Sequence, residues 1–477
     1  MPDALPRSSP AAEGVDARGV LALVDALDAR PTVEPHGLTV LRHGREVASG
    51  HWGPYRRDAP RLLYSLSKSF TSTAVGFAVA EGLLGLDDLV LDHFPEYADD
   101  AADDRVRSWR VRHLLTMGTG HTSDTADRIL GRDEDPVRLF LRQAPEREPG
   151  TVFSYNQGCT HTAGAIVQRL AGCTLPEYLQ PRLFDVVGGG PVSWSEQPQG
   201  RSLGFSGLHA THDDVVRLGQ LYLQRGRWGD RQLLPESWVD LATTVQIATP
   251  GEPNPDWQQG YGFQFWMGRH GFRGDGAYGQ FCIVLPEQDA VVVVTSATLG
   301  MQAVLDDVST HLLPAFRDAP LQDAADAALA QRLGALALPL PVGATSPPDP
   351  ALWDGLDLTP RGGVCRVQPS LTDVRVGRSR THGTWQVTLR EGDTSFTVEL
   401  RPDWTRADAV VSPGGTTVPV AAAGAFTDRG ELRAEIRFLD TPHTLVLILD
   451  PATRAFRALW PTIPLHTPPL HRLRAPA

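Results

Sequence analysis

The chain has 477 residues, 41% hydrophobic and 21% charged, with a net charge of −12, which describes a soluble globular protein long enough for two or three domains. That charge argues against nucleic acid or an anionic membrane surface as the main partner, because both need cationic patches. No apolar run reaches membrane-spanning length, and MPDALPRSSPAAEG at the start lacks the basic and apolar regions of a secretory signal, so a cytoplasmic protein is expected.

The first elements are two short strands within residues 38–52, joined at His43-Gly44. A polar loop follows, and Ser65 to Leu84 carries apolar residues at helical spacing. From about Asp87 to Thr244 the pattern is helices and loops, including VRHLLTM, TAGAIVQRLAG and DDVVRLGQLYLQRG. Strand character returns at residues 261–267, and Phe281–Leu285 and Ala290–Thr295 flank a Pro-Glu-Gln-Asp turn as a hairpin. A helix from about Met301 to Phe316 closes this unit. The expected architecture is α/β of the α+β kind. One antiparallel sheet is built from both ends of residues 1–318, flanked by helices, with a large helical insertion and a cleft facing it. Residues 319–350 read as a helix near Asp323–Leu336 and a Pro-rich linker, LALPLPVGATSPPDP. Residues 351–477 read as a β-rich C-terminal domain, a sandwich or small barrel.

Within this frame one residue stands out. Of 44 Lys and Arg residues, Lys68 is the single lysine, in YSLSKSF. Ser65 precedes it by three positions, so on a helix the two share a face in the first turn, where backbone N–H groups lack intrahelical acceptors. Arginine cannot deprotonate in a protein, whereas a desolvated lysine can take a hydroxyl proton. The plain alternative is a leftover surface lysine that follows a serine by chance. Other candidates carry less. Cys159, Cys173, Cys282 and Cys365 are scattered without CxxC or metal-ligand spacing, which reads as free thiols, and no cofactor is expected. The histidines, His113, His121, His161, His209, His212 and His270 among them, lack HxxxH or HExxH spacing. His209-Ala-Thr-His212 precedes a helix capped by Thr211 or Asp213 and reads as structural, the glycines at 188–190 read as a turn, and there is no G-x-S-x-G.

The order of further segments carries a resemblance. SxxK with its long helix, VRHLLTMGTGH (111–121), FSYNQGCTHTAGAIVQRLAG (153–172), residues 203–239 and residues 260–296 together resemble the serine β-lactamase and penicillin-recognising hydrolase superfamily. The class-C-like esterase and amidase branch is the nearest match, over roughly residues 10–316. The resemblance implies a β-lactamase-like fold, with Ser65 as the acylated nucleophile, Lys68 as its base and Tyr155 relaying a proton to the leaving group. It implies an oxyanion hole from the amides of Ser65 and Ala277, and substrate contacts from Asp275, Gly276 and Gln157, whose amide could instead hydrogen-bond Lys68. Tyr155 could instead be a buried aromatic at a loop–helix junction.

Two departures bear on substrate. Gln157 stands where relatives carry Asn, Ser or Thr, and Gly274-Asp275-Gly276 stands where they carry Lys or His, two positions before Gly. Arg273 precedes that place, but neighbouring strand residues face opposite sides. The family's carboxylate-binding cation is therefore missing. The expectation is a metal-independent hydrolase of small neutral or cationic esters or amides, not a genuine β-lactamase. Alternatives are a binding or scaffold protein that has lost turnover and a D-amino-acid peptidase. The C-terminal domain leaves a homodimer open.

Overall fold

Strands β1 (Val33–Arg42) and β2 (Arg45–His51) pair antiparallel, and His43 and Gly44 make the turn between them with φ of 51° and 71°. The computed structural model describes residues 5–322, 325–379 and 381–476. Before β1 lies helix α1 (Ala17–Ala29), capped by Asp16, whose side chain accepts from the Arg18 amide.

The helical insertion starts after β2. A small sheet of β3 (Arg61–Leu62), β4 (Ser193–Trp194) and β5 (Leu208–Ala210), in the order β3-β5-β4, lies beside helix α2 (Ser67–Ala80). A two-residue-per-strand hairpin, β6 (Arg227–Trp228) and β7 (Arg231–Gln232), follows the His212–Leu223 helix. Then β8 (Trp266–Gly268), β9 (Gly271–Gly276), β10 (Gln280–Leu285) and β11 (Ala290–Thr298) complete a six-stranded antiparallel sheet in the order β2-β1-β11-β10-β9-β8. Every residue of β11 is buried, which requires cover on both faces of the sheet. Helix α1 and the His212–Leu223 helix provide it.

Helix α2 is hydrophobic on no single stripe, because Ser67 to Ala78 are all buried. Its hydroxyls hold loops rather than water. Thr71 Oγ1 donates to the Gly204 carbonyl at 2.7 Å, Ser69 Oγ to that of Gln264 at 3.0 Å, and Ser72 Oγ to that of Phe263 at 2.7 Å. The sequence S-K-S-F-T-S-T thus fixes two loops on one helix, at the end that carries Ser65.

Three expectations change. The segment 261–267 pairs as a strand only from Trp266, because Gln264 turns with φ of 65° and its amide donates to the Leu115 carbonyl at 3.2 Å. The closing helix is α-helical only over Met301–Asp307 and continues as wider and tighter turns to Ala315, where Pro314 removes a backbone donor. The helix expected from Asp323 is described as Ala325–Gly334, Asp323 itself lying outside the described residues.

The Pro-rich run 336–350 is docked along the molecule. Leu336 and Leu338 are buried, the Leu338 amide donates to Gly53 O at 2.9 Å, and Trp404 Nε1 donates to Leu338 O at 2.9 Å. Beyond it, nine strands form a closed barrel: β12 (Leu356–Pro360), β13 (Asp373–Arg378), β14 (Trp385–Glu391), β15 (Thr394–Leu400), β16 (Arg406–Ser412), β17 (Thr417–Phe426), β18 (Leu432–Phe438), β19 (His443–Asp450) and β20 (Ala455–Leu459). A parallel β12–β20 contact closes it. Alternating burial along β12 and β14 places one face of each strand inward, and the barrel has its own apolar core. Among the described residues, no helix is long and apolar enough to cross a membrane.

Candidate active site

Ser65 sits in a single 3₁₀ turn, Tyr64–Leu66, that runs directly into α2. Residues three apart eclipse in such a turn, and Lys68 Nζ lies 3.0 Å from Ser65 Oγ. Lys68 is 1% exposed, one of the largest fully buried side chains in the protein. Its other partners are Gln157 Oε1 at 2.6 Å and the Phe205 carbonyl at 2.8 Å. Both of these can only accept. A neutral amine has two N–H groups and one lone pair, so donating to both carbonyl oxygens leaves the lone pair for the Ser65 hydroxyl proton. Desolvation is the largest influence and brings the ammonium down to about 7, while the negative charges of Asp124 and Asp275 work against it.

Gln157 is held in the orientation this requires. It opens the Gln157–Ala171 helix, whose cap Asn156 accepts from the Gly158 amide. Asp124 accepts from the Gln157 backbone at 2.9 Å and from Nε2 at 3.2 Å, which turns Oε1 toward Lys68. Gln157, expected among the substrate contacts, is engaged here with the amine.

Tyr155 lies over the same amine, with Lys68 Nζ 4.7 Å from its ring centroid. It is half-buried, stacked on Trp266 at 5.4 Å and edge-on to Tyr261 at 6.3 Å. Burial pushes its phenol well above the usual tyrosine range, and the charge of Asp275 adds to this, while the hydrogen-bonding Ser65 hydroxyl pulls the other way. The group is therefore a neutral proton donor near Ser65.

Strand β9 closes the other side. A Cβ on Gly276 would meet the Leu63 carbonyl at 2.1 Å and the Leu66 amide at 3.0 Å. One on Gly274 would meet Leu66 Cδ1 and Ser69 Oγ, each at 2.5 Å. The backbone of β9 is thus pressed against the Ser65 turn, which carries Ala277, the next residue, close to Ser65. Position 274 is also tight: a side chain there would require those of Leu66 and Ser69 to shift. On the opposite face, Arg273 Nε donates to Asp275 Oδ2 at 3.0 Å, and Arg273 Nη1 donates to the carbonyls of Asp256 and Met267 at 3.0 and 3.3 Å. Arg273 also lies 4.4 Å over the Trp257 ring. Asp275, expected among the substrate contacts, is thus the buried counter-charge of Arg273.

Several neighbours escape a reading of the sequence. Asp124 sits in a polar loop without a motif, and the Phe205 carbonyl is a backbone atom, which no residue pattern reports. Half-buried Glu252, whose carboxyl is raised by burial and by Asp275, adds negative charge on the Tyr155 side.

The barrel also reaches in. Tyr64 (φ 49°) and Tyr278 (φ 67°) are the chain neighbours of Ser65 and Ala277, and both hydroxyls end on the C-terminal region. Tyr64 Oη lies 2.5 Å from His443 Nε2, and Tyr278 donates to the Ile463 carbonyl. His443 Nδ1 faces the Thr462 carbonyl at 2.8 Å and so carries the ring proton, which makes Nε2 the acceptor for Tyr64. Burial holds this imidazole down to about 4.

Comparison with known proteins agrees with this geometry. The beta-lactamase family model matches residues 20–313, and the chain belongs to that family. Lovastatin esterase from Penicillium rubens is 29% identical over 167 residues, 30% of this chain and 42% of that one, so less than half of that relative is spanned. The 6-aminohexanoate-dimer hydrolase of Paenarthrobacter ureafaciens is 25% identical over 287 residues, 54% of this chain and 71% of that protein. The solved structure of EstCE1, a hydrolase with promiscuous acyltransferase activity, superposes with a TM-score of 0.52 at 20% identity. It covers 63% of this chain and 100% of its own, a likeness of fold.

Proposed function

We propose that this member of the beta-lactamase family is a serine hydrolase that cleaves small esters or amides through an acyl-enzyme on Ser65. The observation that carries the reading is the set of partners around Lys68. Two fixed carbonyl acceptors use both N–H groups of a neutral amine and leave its lone pair on Ser65 Oγ.

In this reading Lys68 takes the Ser65 proton as Oγ attacks the substrate carbonyl. The amides of Ser65 and Ala277 hold the resulting oxyanion. Tyr155, neutral in the resting state, gives its proton to the departing alcohol or amine and is reprotonated from the Lys68 ammonium. Water then attacks the acyl-enzyme, its proton passing through Tyr155 to Lys68, and the Lys68 ammonium returns that proton to Ser65 Oγ as the acid is released.

Substrate charge follows from the walls. Asp275, Glu252 and Asp124 surround the pair, and Arg273 is committed to Asp275. Position 274 is glycine, so no cation stands there to receive a β-lactam carboxylate. Neutral or cationic substrates therefore fit better than anionic ones. The names of the relatives, lovastatin esterase and 6-aminohexanoate-dimer hydrolase, support the reading of an ester or amide hydrolase.

The test is labelling with a fluorophosphonate, with the adduct located by mass spectrometry. Native protein is expected to label at Ser65, with little or no label on Ser65→Ala or Lys68→Arg. Equal labelling of Lys68→Arg would remove Lys68 from the role of base. Absence of label altogether would favour a binding protein on this fold, and rapid turnover of a chromogenic cephalosporin would overturn the exclusion of β-lactams.

A further inference from the structure

A cavity of about 580 Å³ lies between the helical insertion and the C-terminal region. Its walls include Tyr64, the neighbour of Ser65, and Phe205, whose carbonyl accepts from Lys68. Ser65 and Lys68 do not themselves border the cavity; Tyr64 and Phe205 form its wall toward them. Leu130 and Leu203 form its apolar wall on the insertion side. The facing wall is the tail that follows β20, where Leu465 and Leu473 stand beside Arg472 and Arg474. All the tail residues lie beyond residue 313, outside the stretch matched by the family. Leu465 is 57% exposed, although it belongs to a well-packed tail whose Leu470 and Leu473 are buried.

We infer that this cavity receives the acyl half of the substrate, and that the substrate is an ester or amide of a bulky, apolar carboxylic acid. The inference rests on the proposed acyl-enzyme at Ser65. The side is decided by the proton donor. A leaving group must sit beside Tyr155, whose neighbours Phe153, Tyr261 and Trp266 line a separate aromatic wall. None of these residues borders the cavity. With the leaving group at Tyr155 and the carbonyl oxygen between Ser65 and Ala277, the acyl chain points past Tyr64 and Phe205. The volume is in the range of pockets that enclose most of a ligand much larger than acetate, about 300–1,000 Å³. An exposed leucine facing a cavity is then the far contact of the acyl chain, and the C-terminal region acts as a specificity element.

The experiment uses the full-length protein and two substrates, p-nitrophenyl acetate and p-nitrophenyl octanoate, with Ser65→Ala as the blank. The octanoate-to-acetate ratio of kcat/KM is expected to be about 100 or more, since six further methylenes enter an apolar wall. In Leu465→Trp and Leu130→Trp that ratio falls about 10-fold or more, because the ring occupies the chain's place. Val410→Trp, on an exposed barrel position outside the cavity, keeps the native ratio. A ratio near one in the native protein, or one that neither substitution lowers, overturns the acyl pocket while Ser65-dependent acetate hydrolysis leaves the proposed function standing. No Ser65-dependent hydrolysis of either ester overturns both.

Discussion

Two buried basic side chains, Lys68 and Arg273, act on Tyr155, and they have opposite fates. Lys68 is ringed by neutral groups: a hydroxyl, a side-chain amide oxygen and a peptide carbonyl. Arg273 is equally buried, yet it has a carboxylate partner in Asp275 as well as two peptide carbonyls. Burial alone disfavours charge in both. For lysine the outcome is an amine that exchanges its proton near 7, because nothing in contact repays the lost hydration of the ammonium. For arginine, with its very high intrinsic proton affinity and an ion-pair partner, the outcome is a permanent structural charge. Identity of the contacting acceptor, not depth, separates a base from a clamp.

The comparison breaks most sharply at Lys68 itself. Lys68→Arg keeps the charge and removes the removable proton, and kcat/KM on any turned-over ester is expected to fall about 10³-fold or more. A fall of less than tenfold would show that the amine is not the base. At Arg273 the corresponding change is one of stability. Asp275→Ala strands a buried guanidinium and is expected to cost about 3–5 kcal/mol in urea unfolding, most of it recovered in the double variant Arg273→Met/Asp275→Ala.

Giving Lys68 the partner chemistry of Arg273 tests the argument directly. In Gln157→Glu a carboxylate replaces the amide oxygen, and the acidic limb of the pH–rate profile is expected to move up by about 1–3 pH units. In the native protein that limb is expected near 7, with activity lost as pH falls through it and the amine takes a proton. The same titration has a stability sign. The unfolded chain holds the Lys68 proton up to about 10.5 while the folded one releases it near 7, so native protein gains stability relative to Lys68→Met as pH rises through that window. The smallest effect is expected at the barrel contact. Tyr64→Phe removes one hydrogen bond to His443, costing about 1 kcal/mol of stability with less than about tenfold change in kcat/KM.

The pair at the centre of the site was legible because helical spacing is a local property. Ser65 and Lys68 must share a face in any helical conformation of that stretch, and Tyr155 follows from the order of segments. The hairpin at residues 281–295 was legible for the same reason, since Pro-Glu-Gln-Asp turns between two apolar runs. The strand at 261–267 was overread: its composition suits a strand, but Gln264 is turned by bonds to Leu115 and Ser69, on segments far along the chain. Gly274 reads as a lost cation and is, in three dimensions, a place where β9 presses on the Ser65 turn.

The sequence by itself determined that one removable proton was available, by placing a single lysine three residues after Ser65 in a chain otherwise using arginine. It could not determine that the proton is removable near neutral pH. That depends on which atoms from Gln157 and Phe205 surround the amine and on the exclusion of water from it. These are properties of a packed shell drawn from segments 89 and 137 residues away. Spacing fixes local neighbours, whereas dielectric and acceptor identity exist only once distant parts of the chain have met.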